Sequence, residues 1–586
     1  MENLDIARTL EELADLLEIQ GANPFRIRAY RNAVRTVEGL TRPIRVMVAE
    51  GEDLSSLPAI GKDLAEHIVE LVTTGRMTRL EKLAEDFPRS LVQLMRLDGV
   101  GPKKARKLFD ELEVRTVDDL EEQLKAGRVQ ELDGFGKKSA EKILRAIDDH
   151  RKHVGRFLLD DVEQLLAPVL EHVRQAPGVG RVEVAGSFRR RKETIGDVDL
   201  LAEFDGDGTG VVEHFTRYPG AERVEAAGGT KGNLILPSGL SIDLRVIPPR
   251  SFGAALQYFS GSKEHNVAMR TRAVRKGLRV NEWGVFRVPE GADPETLGKE
   301  DGERLAGASE EDVYAALGMA WVPPELRENR GEVEAALDGD LPRLVSLDDI
   351  RGDLQMHSTW SDGKASLEEM ARACEARGYA YFAITDHSQA MAMVQGLTPE
   401  RAREQWAEIA EVQDRVPGIR VLKSAEVDIL KDGSLDLPDE ILEELDVVVV
   451  SVHSFMELDQ KAMTERVLRA VEHPLVDILA HPTGRLLNRR EPFAMDVETV
   501  LTAAAEYQVA VELNANPNRL DFSDVHVYRA KELGVKVVIS TDAHAPRGLE
   551  NMRFGVDQAR RGWLEPGDVV NTLPLDDFLA WLDRRA

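Results

Sequence analysis

The sequence predicts a multidomain protein with a helical N-terminal part, an α+β middle part and a C-terminal parallel β/α sheet or barrel. Its 586 residues favour three or four domains of ordinary size. A glycine-bearing turn between helices recurs three times before residue 150, and short strand patterns replace it from about residue 155. From residue 346 onward strand-like and helical stretches alternate, which is typical of βα units.

Composition limits the class of protein. With 42% hydrophobic and 31% charged residues, the chain has enough apolar material for ordinary globular cores. We find no run of about 18 apolar residues that could span a bilayer, and the amphipathic N-terminus has no leader pattern. The single cysteine, Cys374, fits a reducing cytoplasm and is expected to be a small buried side chain. We therefore expect a cytoplasmic protein without a membrane partner.

Charge points in two directions. A net charge of −28 and a pI of about 5.0 argue against a nucleic-acid partner when taken alone. Basic residues are nevertheless bunched within residues 26–35, 103–107 and 189–192. Because electrostatic attraction acts locally, the global charge does not exclude DNA.

The recurring turns are LPAIGKDLAEHI at 57–68, LDGVGPKKARKL at 97–108 and LDGFGKKSAEKI at 132–143. Glycine permits close backbone approach, and the N–H groups of the following helix suit a phosphate. An ordinary connection between helices would explain one copy, whereas three copies favour helix-hairpin-helix DNA binding without base specificity. The candidate DNA-binding residues are Gly61, Gly99, Gly101, Lys103, Gly134, Gly136 and Lys137.

Three carboxylates mark the middle part. Asp197 and Asp199 are two apart in a strand-like run and should face the same side, and Asp243 lies in a second such run. Such a site suits two Mg²⁺ or Mn²⁺ ions. Incidental acids on a solvated strand would explain an isolated pair, but a G-S-x-R-R turn ten residues earlier, with Arg189 and Arg190, could clamp a triphosphate.

The segment GSFRRRKETIGDVDLL resembles the nucleotidyltransferase signature of family X DNA polymerases, the polymerase beta relatives. YFSGSKEHNVAMR at 258–270 and NEWG at 281–284 are similar to the family's nucleotide-binding stretch. The resemblance covers residues 1 to about 318. It implies a helix-hairpin-helix N-terminal part followed by an α+β nucleotidyltransferase palm and a thumb.

The resemblance also implies roles for individual residues. The three acids would hold two metals, and Asp243 would assist deprotonation of the primer 3′-hydroxyl. Ser187 and Arg190 would contact the triphosphate. Tyr258, Phe259 and Gly261 would line the sugar pocket. Asn266 would contact the minor-groove edge of the incoming base, and Arg270 would contact the template strand. The implied nucleotide-binding residues are Ser187, Arg190, Gly196, Tyr258, Phe259, Gly261, Lys263, Asn266 and Arg270.

Two departures from the family pattern have consequences. Lys263 stands where well-studied animal relatives carry an acid, which would add positive charge near the triphosphate. His67 stands where the family's lyase domain has its Schiff-base lysine, and an imidazole cannot form that imine. We therefore predict weak or no deoxyribose-phosphate lyase activity, with Lys62 as a displaced alternative amine.

The C-terminal part carries histidines and acids at the ends of successive strand-like runs. Ligands in such positions converge at the mouth of a β/α barrel, and a mixed histidine and carboxylate set suits Zn²⁺, Mn²⁺ or Fe²⁺. Any single member could be an ordinary core or surface residue, but the whole set favours a metal centre. Its members are His357, Asp362, His387, Glu426, His453, His481, Asp542 and His544.

Residues 346–586 resemble the PHP (polymerase and histidinol phosphatase) domain, a distorted β/α barrel with up to three ions, Mn²⁺ or Zn²⁺. The resemblance implies one ion on His357, Glu426 and Asp542. Glu426 would bridge to a second with His453 and His481, and the remaining three residues would hold the third. Gln355 replaces a histidine of the first motif and should loosen the first site. Three arginines, at 485, 489 and 490, would neutralise substrate phosphates or form a solvated turn.

Six segments follow from these patterns. They are a lyase-like helical DNA-binding domain at 1–80, a fingers-like helix-hairpin-helix domain at 81–154, the palm at 155–250, the thumb or nucleotide-selection domain at 251–320, a linker at 321–345 and the PHP domain at 346–586.

The leading hypothesis is a DNA repair enzyme near the nucleoid. It would fill short gaps in gapped or nicked duplex DNA from deoxynucleoside triphosphates, alongside other repair proteins. Its PHP domain would act as a 3′-5′ exonuclease, with abasic-site endonuclease or 3′-phosphatase activity as additions. The alternatives are a nuclease whose polymerase module only holds DNA, and an end-binding scaffold with structural PHP metals. A phosphatase of small metabolites would leave the hairpins unexplained.

Overall fold

The structure, a computed structural model, describes residues 3–39, 44–57, 59–95, 97, 99–153, 156–289 and 297–583. It divides into two compact units, Met1–Val154 and Gly155–Ala586. The apolar core of the first unit consists of residues between 6 and 147, and the cores of the second unit begin at residue 159. Among the described residues, every helix is too short or too polar to traverse a bilayer.

The first unit is helical in its described residues. Gly61 and Gly101 are the N-caps of α4 and α7, and Gly99 and Gly134 have φ angles of 90° and 87°, which glycine adopts without a Cβ clash. All three predicted turns therefore lead into helices. The helices are α1 (Asn3–Gln20), α2 (Pro24–Gly39), α3 (Ile44–Ala49), α4 (Lys62–Thr74), α5 (Thr78–Asp86), α6 (Leu91–Met95), α7 (Pro102–Leu112), α8 (Val117–Lys125) and α9 (Lys137–His153).

The second unit begins with a five-stranded sheet of order β2-β4-β7-β6-β5, in which β4 and β7 are parallel. Along β7, Ile242 and Leu244 are buried while Asp243 and Arg245 are partly exposed, as the alternation of a half-buried strand requires. The elements are β1 (Phe157–Leu158), α10 (Leu159–Arg174), β2 (Val182–Val184), α11 (Gly186–Arg189), β3 (Thr194–Ile195), β4 (Asp197–Glu203), α12 (Thr209–Thr216), β5 (Arg223–Gly228), β6 (Lys231–Ile235) and β7 (Ser241–Ile247).

A helical layer with a small antiparallel sheet of order β10-β9-β8 follows. The segment 321–345, expected to be a linker, instead contains a helix and packs Val322, Leu326 and Val333 into the core of this layer. Pro323 and Pro324 begin a short 3-10 turn, and the apolar residues that follow pack against the core of this layer. The elements are α13 (Phe252–Ser260), α14 (Lys263–Arg275), β8 (Leu278–Asn281), β9 (Gly284–Arg287), β10 (Glu303–Ala306), α15 (Glu310–Ala316) and α16 (Glu332–Asp338).

The C-terminal part is a seven-stranded parallel sheet in sequential order. The backbone N–H of His357 donates to the Ala543 carbonyl at 2.9 Å, and that of Asp542 donates to Gln355 at 3.0 Å, so the first and last strand ends meet and the sheet is nearly closed. The predicted fold class is confirmed.

The elements of this barrel are β11 (Gly352–Asp353), α17 (Leu367–Ala376), β12 (Tyr381–Ile384), α18 (Pro399–Arg415), β13 (Arg420–Asp428), α19 (Asp439–Leu442), β14 (Val447–Ser451), α20 (Gln460–Val471), β15 (Ile478–Leu479), α21 (Val497–Glu506), β16 (Ala510–Asn514), α22 (Asp524–Glu532), β17 (Val537–Ser540), α23 (Met552–Arg561) and α24 (Leu575–Leu582).

Candidate active sites

The three acids of the middle part lie together at one end of β4 and β7. Asp199 and Asp243 are direct partners in the register of the two parallel strands. Burial, together with the negative charges of Asp197 and Asp243, raises the pKa of Asp199 to about 6. Carboxylates that crowd in this way favour a bound cation or a proton.

The turn before these strands approaches the acids closely. Gly186 has a φ of 64°, and a Cβ there would lie 2.9 Å from Oδ2 of Asp199, so the position requires glycine. Ser187 follows it in α11 and is partly buried. Gly196 forms the bend between β3 and β4. The G-S turn therefore lies directly against the predicted metal ligands.

The arginines of this turn bind acids of the helical layer. Arg189 donates from its two terminal nitrogens to the two carboxylate oxygens of Glu310 at 2.7 and 2.8 Å. Arg190 donates to Glu328 at 3.0 Å and to the Ser260 carbonyl at 2.8 Å. The contact between Arg190 and a triphosphate, expected from the sequence, remains a prediction.

The predicted nucleotide-binding stretch spans α13 and the start of α14. The rings of Tyr258 and Phe259 lie 5.1 Å apart and are partly exposed. The Asn266 amide nitrogen donates to the carbonyls of Tyr258 at 2.7 Å and of Gly261 at 3.2 Å, so Asn266 fixes the turn after α13. Lys263 and Arg270 are exposed on α14.

In the first unit, the second and third hairpins are joined to each other. The Lys104 ammonium donates to the Gly99 carbonyl at 2.9 Å and to the Ser139 hydroxyl at 3.0 Å. Lys103 and Lys137 are exposed, as a contact with a phosphate backbone would require.

The position expected for the lyase lysine carries an imidazole. His67 is partly buried on α4, and burial, together with Arg79, lowers its pKa. Lys62 is exposed at the start of the same helix. The structure therefore places no amine at residue 67 itself.

In the barrel, Glu426 lies at the centre of the predicted ligand set and is 1% exposed. Its carboxylate oxygens approach imidazole nitrogens of four histidines at 2.7–3.4 Å. Burial alone would raise the pKa of Glu426, but the charges of His387 and His453 and hydrogen bonds from His453 and His481 hold it well below its usual range. The four histidines are His357, His387, His453 and His481.

The remaining ligands complete two overlapping groups. Ligand atoms of His357, Asp362, His387 and His544 lie within 4.8 Å of one another, as do those of His387, Glu426 and His453. Asp542 approaches His357 at 3.2 Å. All eight predicted ligands therefore meet, but His387 belongs to both groups, whereas the resemblance assigned it to one ion.

The donor set fits metal ions. Both ring nitrogens of His357 and Nδ1 of His387 and His481 are buried and have no hydrogen-bond partner among the described residues. Buried nitrogens of this kind are costly unless they bind something, and imidazole with carboxylate is a common divalent-metal set. Gln355 is 1% exposed, and both of its amide atoms also lack a partner in the described part of the chain.

Family comparisons match four regions of the chain. The matched families are a helix-hairpin-helix domain at residues 1–77, a SAM-like helix-hairpin-helix tandem at 91–149, the DNA polymerase beta thumb at 255–328 and the PHP domain at 353–516.

Curated proteins resemble the chain over different lengths. The DNA polymerase/3′-5′ exonuclease PolX of Bacillus subtilis is 40% identical over 586 residues, which is 100% of both chains. This chain belongs to the PolX family, the family X DNA polymerases with a PHP domain. DNA polymerase lambda of Arabidopsis thaliana is 28% identical over 56% of the chain and 62% of its own length. A probable phosphatase of Thermoanaerobacter sp. is 30% identical over 36% of the chain and 87% of its own length.

Divalent metal use follows from both parts of a PolX chain. Two acids that the sequence analysis did not single out contact the predicted PHP ligands or the loop that carries them. Asp386 accepts hydrogen bonds from the backbone and hydroxyl of Ser358 and from Gln405. Asp428 accepts from Nδ1 of His453 at 3.2 Å. Both acids lie within two residues of a predicted ligand, which was the available signal.

The arginines after His481 divide between two roles in this PolX chain. Arg485 forms an ion pair with Glu193 of the polymerase part, with N–O distances of 2.6 and 3.3 Å. Arg490 donates to the Gly484 carbonyl at 2.8 Å, and Arg489 is exposed. Arg485 therefore joins the two catalytic parts of the second unit.

Proposed function

We propose that this chain fills short gaps in DNA during repair and trims 3′ ends with its PHP domain. The observation that carries the proposal is the presence of two separate carboxylate centres in one compact unit. One is Asp199 paired with Asp243 across β4 and β7, and the other is Glu426 among four histidines. Each centre matches a different phosphoryl-transfer task.

In the polymerase centre, Asp197, Asp199 and Asp243 would hold Mg²⁺ or Mn²⁺. Such ions neutralise charge on the triphosphate and make the primer hydroxyl more acidic. Asp243 would assist removal of the hydroxyl proton. Ser187 and Arg190 would orient the triphosphate from the turn at Gly186, whose close approach to Asp199 supports this placement.

The nucleotide pocket would follow from α13 and α14. Tyr258, Phe259 and Gly261 would exclude a ribose 2′-hydroxyl, and the brace from Asn266 would keep that turn in place. The exposed ends of Lys263 and Arg270 would meet the triphosphate and the template strand. Gly196 would allow close approach of the nucleotide to the strand bend.

In the PHP centre, the eight ligands would hold up to three ions, Mn²⁺ or Zn²⁺. These ions supply a nucleophilic hydroxide at neutral pH and stabilise the charge that develops on the phosphate. Asp428 would orient His453, and Asp386 would fix the loop that carries Asp362. The same centre would accept abasic sites or 3′-phosphates as further substrates.

The domain assignment is part of the proposal. Residues 1–80 and 81–154 would grip duplex DNA through the hairpins, 155–250 would be the palm, and 346–586 the PHP domain. We place the segment 321–345 with the thumb at 251–320, because it shares that core. The substrates would be gapped or nicked duplex DNA and deoxynucleoside triphosphates.

The test is a labelled primer on a one-nucleotide gap, incubated with Mn²⁺ with and without deoxynucleotides. We expect extension with nucleotides and shortening without them. Asp243→Asn should reduce extension at least about a hundredfold and leave shortening in place, and Glu426→Gln should do the reverse. Glu225→Gln, at an exposed carboxylate of the same sheet as Asp243, is the control and should change neither activity.

The outcomes separate the candidates. Extension without any shortening would assign the PHP domain a structural role or another substrate. A primer unchanged in both lanes would favour the scaffold. A primer that is shortened both with and without nucleotides, and is never extended, would favour a nuclease that only holds DNA with its polymerase part.

A further inference from the structure

We infer that helix α23 of the PHP barrel positions the triphosphate-binding turn of the polymerase, with Asp557, Gln558 and Arg561 as positioning residues. The inference rests on the proposed role of the turn around Arg190 in nucleotide binding. It assigns to the barrel a part in polymerisation that is separate from its own metal centre.

The first contact is with Arg191, the residue after the proposed triphosphate ligand. Arg191 has a φ of 56°, a left-handed conformation that is unfavourable for a residue other than glycine. Its guanidinium lies 2.6 Å from Oδ2 of Asp557, and its carbonyl accepts a hydrogen bond from the Gln558 amide at 2.9 Å. Side chain and backbone of this residue are thus both bound by α23.

The second contact is with Arg190 itself. Arg561, which is 2% exposed, donates to the Arg190 carbonyl at 2.6 Å. It also donates to Glu328 at 3.1 Å, and Glu328 is the acid that holds the Arg190 side chain. Arg561 therefore helps to hold both the backbone and the side chain of Arg190 in place.

The helix is well placed to act as a rigid support. Asp557, Gln558 and Arg561 lie at i, i+1 and i+4, and so face the turn from one side of α23. Phe554 of the same helix is 1% exposed within the apolar core of the palm. On the barrel side, Asp524 of α22 holds the second terminal nitrogen of Arg561 at 2.6 Å.

The far end of the turn is also bound by the barrel, through the pair of Arg485 with Glu193. Glu193 lies four residues before Asp197. The stretch from Arg190 to Glu193, between the proposed triphosphate ligands and the metal ligands, is thus held at both ends. A turn held in this way is pre-organised, so loss of the support should weaken binding of the nucleotide more than it slows the chemical step.

The experiment measures single-nucleotide insertion into gapped DNA by the full chain, with KM for the nucleotide and kcat determined separately. We expect Asp557→Asn and Arg561→Gln to raise KM at least about fivefold and to leave kcat within about twofold. Arg561→Lys, which keeps the charge, should recover part of the loss. A 3′-5′ trimming rate equal to that of the unsubstituted chain shows that a variant is folded. Asp557→Asn is the milder of the two α23 substitutions and should disturb folding less.

Two comparisons distinguish positioning from simple adhesion between the domains. Arg560→Gln removes a neighbouring interdomain ion pair, to Glu325 at 2.8 Å, that does not touch the turn, so KM should not change. Asp557→Asn should add no further increase in KM once Arg191→Gln is present, because Asp557 acts through Arg191.

An unchanged KM in both α23 variants would overturn the inference, as would an equal increase in Arg560→Gln. Additive effects of the Asp557 and Arg191 substitutions would also count against it. Failure of the unsubstituted chain to extend the primer would contradict the proposed function instead, so the two failures are distinguishable.

Discussion

Glu310 joins two arginines from distant parts of the polymerase region. Its carboxylate accepts hydrogen bonds from Arg189 and from Arg327, and the second of these arginines is fully buried. Burial alone would raise the pKa of Glu310, but the hydrogen bonds and charges of both arginines lower it to about 2. The ionised acid thus offsets two cations that would otherwise be costly to bury.

This pKa predicts how stability depends on pH. Because the pKa is lower in the folded protein than the usual 4.5, the stabilisation is complete above pH 4.5 and is lost as pH falls towards 2. Its size is about 3 kcal/mol. We expect the free energy of unfolding of the second unit to fall across this range, as measured by urea titration.

Glu310→Gln isolates this effect from that of other acids. At pH 7 the substitution leaves both arginines without their anion and should destabilise the protein by about 3–5 kcal/mol. Near pH 2 about half of the glutamate side chains in the folded protein are themselves protonated, so the difference between the two proteins should shrink. A difference that is the same at pH 7 and at about pH 2 would contradict the assignment.

Residues differ in how far the sequence could identify them. The meeting of the eight candidate PHP ligands was predictable, because they lie at or beyond the ends of successive strands, and such ends converge in a parallel barrel. Glu512 was not predictable, because a buried acid and an exposed one have the same sequence pattern. Only the fold shows that Glu512 is fully buried and accepts the backbone N–H of His481.

At the scale of elements, α13 packs against the start of α15 with almost no space between them. A Cβ at Gly253 would lie 2.0 Å from the backbone carbonyl carbon of Ser309. No rotamer change can relieve a clash with backbone, so a larger residue must push α13 away. The same helix carries Tyr258 and Phe259 of the proposed sugar pocket.

Gly253→Ala should therefore destabilise the second unit by about 3 kcal/mol and raise KM for the incoming nucleotide. Gly210→Ala in α12 is the matched control, since a Cβ there has no heavy atom of the described residues within 4 Å, and it should be neutral or stabilising by up to about 1 kcal/mol. Thermal unfolding and insertion kinetics measure both effects. Equal melting temperatures for the two variants would show that the packing is looser than described.

Element types were predictable from periodicity, and their packing partners were not. The strand runs of the palm and barrel alternate or are wholly apolar, and each is a strand. The segment 321–345 was predicted to be a linker because of Pro323, Pro324, Glu325 and Pro342. Helix α16 is stable there because Val333 and Ala336 pack on the thumb core, a tertiary effect that a local pattern does not contain.

At the scale of the whole molecule, the described residues form two units with apolar cores of their own. The first is built from residues between 6 and 147 and carries the three hairpins. The second carries both carboxylate centres. The contacts proposed for DNA phosphates are a few exposed lysines next to glycine turns. The net charge of −28 therefore does not argue against DNA binding.

Removal of residues 1–154 tests this division. We expect the fragment 155–586 to keep its own melting transition and to trim single strands as the full chain does, because its cores contain only its own residues. Its affinity for gapped duplex should fall, and the dependence of affinity on salt should weaken by about 0.9 in the log–log slope for each phosphate that the fragment no longer binds. Fluorescence anisotropy at several salt concentrations measures both.

The full chain with Lys103→Gln and Lys137→Gln provides the control within the intact protein. If those lysines bind phosphates, this variant should show part of the decrease in salt dependence that the fragment shows, with no change in its melting temperature. A fragment that binds gapped duplex with the affinity and salt slope of the full chain would place the DNA grip in the second unit. The hairpins would then serve a purpose other than holding the duplex, because the acidic second unit would have to supply every phosphate contact by itself.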